Sequence, residues 1–507
     1  MPYEAFTEQN VIFKDISKID VLFGFCYPST YRAGMSGLAT HLFYAILNGR
    51  SDTSCERYFR YDTRSPVNSV ETGRPLHDNH LLGFSLTYEE DILGLVQMLE
   101  MGKVHVLASE RSNEDPIVIV GGPAVSANPE PYVDFVDAFV IGEGDLVIHD
   151  IIDATITSGS RREVLEKLAG VRGLYVPSLP QASVSRLIIP SLEALFHPTA
   201  QVFANVEEQS KHETVFGRSL LVEVSRGCGH SCKFCLVGHI CRPRRVRSLG
   251  RLMKIIEEGV EQSSVSKIAL IASSLGDLDQ LEELAEWVIG KKLGLSTPSL
   301  RADRVTLRLL QLLKEGGQRT LTIAPETGSA SLRRSMGKGL DDDEIYNAVS
   351  YAKDAGLSSV KAYFIIGLPG ETDDDVRAIA TMTSRFAKES GLRVTANVNP
   401  FIPKAHTRWE REPQPPLEVL RSRIKLLEKE LHNVPRTSLE TLDPRSARIQ
   451  AALSIGDRSI GKVIKVAATQ GGFGAWRRAE KETKIEFLGR ASDGNHLLGK
   501  LPWHFIK

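Results

Sequence analysis

Long apolar runs are missing from this sequence: no stretch of its 507 residues approaches the ~20 apolar residues that cross a bilayer. No basic leader followed by an apolar segment opens it, so a cytoplasmic protein is expected. A surplus of one charge is lacking too. With 62 basic and 63 acidic residues the formal charge is -1, which excludes the polyanion-binding signature of a dedicated nucleic-acid binder. The one basic cluster, "CRPRRVRS" at 241 to 248, is local and reads as a solvated loop or helix start. Cysteine is sparse: six residues, three of them in one motif, make no disulfide framework. Cys26, Cys55 and Cys241 read as ordinary buried or free thiols. Internal repeats and low-complexity segments are also absent. What remains is a large soluble enzyme, whose 42% hydrophobic content is ample for the cores of about three domains.

The motif is "VSRGCGHSCKFCLVG", in which Cys228, Cys232 and Cys235 stand on a loop leaving the apolar run "RSLLVEVSRG". Three thiolates at this spacing suit an iron-sulfur cluster with one iron free of protein ligands, and thiolate ligation requires a reducing compartment. A zinc site completed by Cys241, His230 or His239 is the alternative, although zinc knuckles draw their ligands as two pairs rather than as a triplet after a strand. The triplet, with Phe234 directly before its third cysteine, resembles the radical S-adenosylmethionine (radical SAM) superfamily. That resemblance implies a 4Fe-4S cluster whose open iron binds the amino and carboxylate groups of SAM, with Phe234 near the adenine. One electron from an external donor would then cleave SAM to methionine and a 5'-deoxyadenosyl radical.

Ahead of the cysteines, apolar strands alternate with helical segments, the pattern of a parallel sheet covered by helices. Strands are expected at "IDVLFGFCYP", "ERYFRYD", "LLGFSLTYE", "PIVIVGGP" and "AFVIGEGD", and helices near 34 to 48, 89 to 102 and 145 to 157. These make a five-stranded, flavodoxin-type Rossmann layer over residues 1–205, and such sheets bind ligands beyond the carboxyl ends of their strands. The residues there are Ser29, Thr30, Tyr31, Ser85, Thr87, Gly121, Gly122, Gly142, Glu143 and Gly144. Small residues at these ends let backbone approach a large flat ligand. The arrangement is similar to the cobalamin-binding domain of a group of radical SAM methyltransferases, through "YPSTYRAGMSGLATHLFYAILN", "GFSLTYEEDI" and "VGGPAVSANPEPYVDFVDAFVIGEGD". The resemblance implies cobalamin at this edge, with Tyr88 or Glu89 near its lower face. "DNHLLG" matches the Asp-x-His-x-x-Gly string of a lower axial histidine, but His80 enters the third strand from the opposite end. Base-off cobalamin without a histidine ligand is therefore expected.

Beyond the cysteines, strands at "KIALIASS", "STPSLRAD", "RTLTIAPETGS", "SVKAYFIIGLPGET" and "RVTANVNPFIP" alternate with helices. With the cysteine-bearing strand they make a partial (β/α)6 barrel over 206–412, whose chemistry belongs at the carboxyl strand ends. The resemblance places SAM against Ser273, Ser274, Ser299, Arg301, Glu326, Ile366 and Gly367. A guanidinium such as that of Arg301 suits the methionine carboxylate, and Glu326 is placed to accept from ribose hydroxyls. The run "DDDE" at 341 to 344 reads as an acidic helix start.

The Pro-rich "REPQPPLE" marks a linker to a helical tail domain, 413–507, in which "FGAWRR" combines aromatic and basic residues. The function implied by resemblance is cobalamin-dependent methylation of an unactivated sp3 carbon, one SAM serving as methyl donor to cobalamin and a second as radical source. The length, N-terminal segment and tail look most like the glutamine C-methyltransferase of methyl-coenzyme M reductase, which makes a protein substrate the expectation. "NPFIPKAHT" faintly resembles the methylthiotransferases, whose second cluster needs three further N-terminal cysteines where this sequence offers Cys26 and Cys55. A non-catalytic cobalamin or redox sensor is the alternative from another class. Turnover of SAM would exclude it.

Overall fold

The computed structural model describes residues 6–60, 65–493 and 497–507. Strands β1 (Val21–Tyr27), β2 (Thr53–Phe59), β3 (Leu81–Ser85), β4 (Ile117–Gly121) and β5 (Ala138–Val140) run parallel. A short antiparallel strand, β6 (Leu174–Tyr175), adds a sixth strand to the expected five, in the order β2-β1-β3-β4-β5-β6. Tyr61 and Asp62, expected to end the second strand, lie outside the described residues.

Both faces of this sheet are apolar because both are covered. With side chains alternating along each strand, Phe23, Phe25, Leu81, Ile117 and Ile119 face one cluster beneath helices α1 (Leu38–Asn48) and α3 (Ile148–Ile156). Cys26, Leu82, Phe84, Val118 and Val120 face the other, beneath α2 (Asp91–Met101). Tail residues Ile449, Leu453, Val463, Ile464, Trp476 and Trp503 join that second cluster.

Helix α4 (Arg161–Gly170) precedes the barrel, which comprises β7 (Leu220–Glu223), β8 (Lys267–Ile271), β9 (Gly294–Ser296), β10 (Thr320–Glu326), β11 (Ser359–Ile366) and β12 (Arg393–Pro400), with helices α5 (Leu249–Ser263), α6 (Leu281–Gly290), α7 (Leu307–Glu315), α8 (Asp342–Asp354) and α9 (Asp373–Ser390) between them. All neighbours are parallel, and a bridge from Leu300 to Ile323 links the three-stranded β9-β8-β7 section to the rest. Past the division expected at 412/413, helix α10 (Leu417–Leu431) leads to β13 (Thr437–Thr441), which pairs parallel with β12. Residues 417–441 thus continue the barrel sheet. The next helices, α11 (Pro444–Ser454), α12 (Gly461–Gln470) and α13 (Phe473–Thr483), form the cover on the N-terminal sheet. The buried Asn128 side chain donates to the carbonyls of Ser454 and Gly456, tying that cover down.

The acidic run at 341 to 344 opens a barrel helix, Asp342–Asp354, where Asp341 and Glu344 form a capping box. The basic run at 241 to 248 differs from the solvated segment expected. Arg245 and Arg247 are buried, Arg245 donating to Glu143 Oε1 (2.7 Å) and to the Ile189 carbonyl (3.0 Å), and Arg247 donating to Glu223 Oε2 (3.1 Å). A buried guanidinium needs such partners, so half of the cluster is a seam between domains. Among the described residues no helix is long and apolar enough to cross a membrane.

Candidate active site

The cysteine loop is closed at its base, where Ser225–Arg226 pairs antiparallel with Arg245–Val246. Two barrel loops grip its middle: the Lys233 N–H donates to the Met336 carbonyl (2.9 Å), and the Trp409 N–H to the Lys233 carbonyl (3.2 Å). Cys232 is buried, while Cys228 and Cys235 are half-buried. The His230 N–H reaches Cys228 Sγ at 3.4 Å. Burial pushes the thiols of Cys232 and Cys235 up, opposed at Cys232 by the Lys338 ammonium and at Cys235 by the backbone N–H groups of Gly238 and Val237. Among the described residues no three His, Cys, Asp or Glu side chains converge as ligands of one metal ion would.

Around that loop the expected SAM contacts divide. Phe234 packs at the barrel mouth with Leu332, Met336, Leu368, Phe401 and Trp409, and Ile365 joins them. Ile366, assigned to the site from sequence, is fully buried in the barrel core, and its carbonyl accepts the Phe401 N–H. Side chains alternate along a strand, so it is Ile365 that faces the mouth. Gly367 turns away against Leu420 and Pro415 of the α10 segment, its N–H bound by Glu371. Ser273 and Ser299 are exposed, whereas Ser274 is buried and donates to Asp277 Oδ2 (2.6 Å). That carboxylate also meets His230 Nε2 at 2.9 Å. Arg301 is already paired with Asp303 (3.0 Å) and donates to the Gly339 carbonyl (3.3 Å).

Glu326 sits at a register shift in β10 with φ of 69°, a left-handed conformation that costs a non-glycine residue energy and concentrates at functional sites. Its carboxylate meets Lys338 Nζ at 2.7 Å. Burial alone would lower that ammonium, but Glu326 and the nearby Cys232 hold it above its ordinary value. Lys338 escaped the sequence reading. Its signal was faint: a lone lysine between Gly337 and Gly339.

Opposite the barrel mouth, a cavity of about 540 Å³ joins the two domains. Its N-terminal wall includes Ser85, Thr87, Gly121, Gly122, Gly142 and Gly144, and its barrel wall includes Ser225, Arg226 and Ser273, with Cys241 between. The cavity extends into the apolar gap where Phe23, Leu42, Phe43 and Ile148 separate the sheet from α1 and α3. Arg226 and Cys241 are further residues missed from sequence. Burial raises the Cys241 thiol to about 11.

Other edge residues lie outside the cavity lining or are engaged by protein partners. Tyr31 is buried, donating to Glu8 Oε1 (2.6 Å) and packed on Phe6 and Phe59, because it starts a short helix that turns into the core. Thr30 caps that helix through Ala33, and Ser29 lies beside it, its carbonyl accepting the Arg60 N–H. Tyr88 is exposed. Glu89 is buried and faces away from the edge: both its oxygens accept from Lys404 Nζ (2.6 and 2.7 Å), and Gln450 Nε2 adds a bond of 2.9 Å. A lone carboxylate at that depth has to be paired. Glu143 lines the cavity, but its oxygens are engaged by Arg245 and the Ile189 N–H. His80 lies at the amino end of β3, where Nδ1 accepts the Leu22 N–H (2.9 Å).

Comparisons with known proteins agree with this geometry. Residues 222–383 match the family described as the Radical SAM superfamily, and residues 39–177 that of Radical SAM proteins, N-terminal. An uncharacterized protein of Methanocaldococcus jannaschii is 31% identical over 439 residues, 86% of this chain and 89% of that one. Among solved structures, the radical S-adenosylmethionine methyltransferase TsrM from Kitasatospora setae, with cobalamin and a [4Fe-4S] cluster bound, aligns at a TM-score of 0.56. The identity is 13%, over 92% of this chain and 98% of that one. The cobalamin-dependent S-adenosylmethionine radical enzyme OxsB, with aqua-cobalamin and S-adenosylmethionine bound, aligns at 0.53. There the identity is 15%, over 92% of this chain and 70% of that one. At these identities the structural likeness is one of fold. The cysteine loop, the barrel that grips it and the sequence relatives agree: the chain belongs to the radical SAM superfamily.

Proposed function

We propose that the protein is a cobalamin-dependent radical SAM methyltransferase acting on an unactivated sp3 carbon of a protein residue. The observation that carries this reading is the cavity itself, which runs without interruption from the barrel strand ends beside the cysteine loop to the polar edge of the N-terminal sheet. Cys228, Cys232 and Cys235 would hold the cluster. Phe234, Ser273, Ser299, Arg301 and Glu326, with Lys338 and Ile365 added by the structure, would hold SAM. Ser85, Thr87, Gly121, Gly122, Gly142 and Gly144 would hold cobalamin, along an edge where small side chains let backbone approach a flat ligand.

When bound, these groups supply reductive cleavage of SAM and methyl transfer, with one electron per cleavage arriving from an external donor protein. The chain's own residues bind, orient and exclude water. With SAM bound, the Glu326 carboxylate would accept hydrogen bonds from ribose hydroxyls, and the cations of Lys338 and Arg301, now paired with Glu326 and Asp303, would be the groups to meet its carboxylate. The apolar group around Phe234 and Trp409 keeps the mouth dry.

The protein substrate, with the glutamine of methyl-coenzyme M reductase as its best candidate, follows from the resemblance in length, N-terminal segment and tail. The methylthiotransferase alternative fares worse: Cys26 and Cys55 are fully buried in the sheet, with no path to a second cluster. Anaerobic purification with cobalamin supplied, followed by cobalt and iron counts, tests the reading. Near-stoichiometric cobalt that survives a C228A/C232A/C235A triple substitution supports it, and iron without cobalt overturns it.

A further inference from the structure

We infer that an arginine-walled pocket beside the barrel mouth docks an acidic segment of the polypeptide substrate. The inference rests on the reading of the substrate as a protein and deepens it. The pocket, of about 420 Å³, lies between α10, α11 and α13 and is lined by Arg421, Arg445, Arg448, Arg477 and Phe473. Helices α10 and α11 follow β12 and β13, so their first two turns, which carry Arg421, Arg445 and Arg448, stand toward the carboxyl ends of the strands, where the mouth opens. Two hydrogen bonds connect pocket to mouth: Arg448 Nε donates to Gln414 Oε1 (2.7 Å), and Gln414 Nε2 to the carbonyl of Phe401, which touches the Phe234 group.

Three of the pocket's four arginines have no hydrogen-bonded carboxylate among the described residues. Arg445 is neutralised by Asp443 (2.6 Å). Arg448 is buried, yet among the described residues its guanidinium is hydrogen-bonded to neutral acceptors: Gln414, the Pro415 and Leu488 carbonyls and Ser492. Burial works against that cation, and Glu418 acts on it from beyond hydrogen-bond reach. A buried cation without a bonded carboxylate is costly unless something supplies one. Arg421 and Arg477 are exposed and form no hydrogen bond or close ion pair among the described residues. Phe473, 37% exposed, has the Arg445 guanidinium 4.3 Å from its ring centroid.

Planar forks of this kind match carboxylates two bonds at a time. A compact pocket on a chain of formal charge -1 is no track for nucleic acid, which needs an extended basic surface. The occupant it fits is a short stretch of Asp or Glu side chains held while a neighbouring residue enters the mouth.

Fluorescence anisotropy of a fluorescein-labelled decapeptide of alternating Glu and Ala, titrated with the full-length protein, tests this. The expected result is saturable binding that weakens with salt and falls by at least about tenfold in R421Q/R477Q, as loss of two charge-assisted contacts predicts. Both substituted residues are exposed, and thermal melts confirm that the variant is folded. Binding that is unchanged in R421Q/R477Q overturns the proposal, as does a ten-nucleotide RNA that outcompetes the peptide for the wild-type protein. The titration needs neither iron nor cobalt, so its failure is separable from failure of the methyltransferase reading.

Discussion

At the carboxyl edge of the N-terminal sheet the polar groups are largely committed. Glu143 is held by Arg245, Glu89 by Lys404 and Gln450, and Thr30 caps its own helix. The mouth of the barrel, across the cavity, concentrates the strained and the charged: Glu326 in a left-handed conformation, the Glu326–Lys338 pair beside Cys232, and half-buried thiols on a loop gripped from two sides. One edge offers shape, with backbone and small side chains lining a cradle. The other offers ionisable groups next to the cysteine loop. An arrangement of this kind suits a large cofactor that is held by area on one side and a small charged one that is held by specific pairs on the other.

The sharpest way to break that contrast is to remove one partner of the barrel pair. K338A leaves the Glu326 carboxylate buried and unpaired, which should cost about 3–5 kcal/mol of stability, whereas K338M/E326Q removes both charges and should recover most of it. Urea titrations of the three proteins check this. Isothermal titration with SAM then separates the structural role from binding, because the double variant should stay folded and still bind SAM at least about tenfold more weakly.

A smaller effect is expected where β11 ends. The Glu371 carboxyl is buried and held up to about 7 by that burial, against the opposing pull of the Gly367 N–H and the Arg423 guanidinium. A carboxyl whose folded value lies above its unfolded 4.5 binds its proton more tightly in the native state. Its contribution to stability is therefore fully present below about pH 4.5 and is lost as pH rises through 7. The size is bounded by the shift, about 3 kcal/mol at most. Unfolding midpoints from pH 5 to 8 should fall more steeply for wild type than for E371Q. Parallel profiles would mean that the Arg423 pair holds the carboxylate ionised throughout.

How much of this was legible beforehand depended on what each residue's role requires. The cysteine triplet could be read because the loop carries its own spacing, and both strand-end edges because short apolar runs bounded by Gly, Pro and Ser mark where strands stop. Ile366 was misplaced because a one-residue step flips a strand side chain to the other face, and nothing local to "FIIG" says which of the two isoleucines points outward. Tyr31 and Glu89 were misplaced for a different reason. Their partners, Glu8, Lys404 and Gln450, lie 23, 315 and 361 residues away in the chain. The burial of Arg245 and Arg247 was hidden in the same way, since charge runs read as solvated until a second domain supplies the acceptors. The tail is the clearest case. Its helices look like a separate unit in sequence, but their apolar faces belong to a cluster begun at Cys26.

The N-terminal edge can be tested with two adjacent glycines that look equivalent in sequence. Gly122 has φ of 109°, and a Cβ there would lie 2.3 Å from the Leu86 carbonyl oxygen, so its need for glycine comes from a close crossing of backbone rather than from a ligand. Gly121 would place a Cβ 3.7 Å from Val140, in ordinary contact, and open toward the cavity. G122A should therefore cost about 2 kcal/mol through backbone strain and displacement of Leu86, while G121A should be nearly neutral for folding. A larger side chain reverses the ranking for the cofactor: G121F should leave stability within about 1 kcal/mol and iron content intact, yet lower cobalt per chain by filling the cradle. If G121F binds cobalt as wild type does, the cradle is not where cobalamin sits. The contrast drawn between the two edges would then hold for protein packing alone.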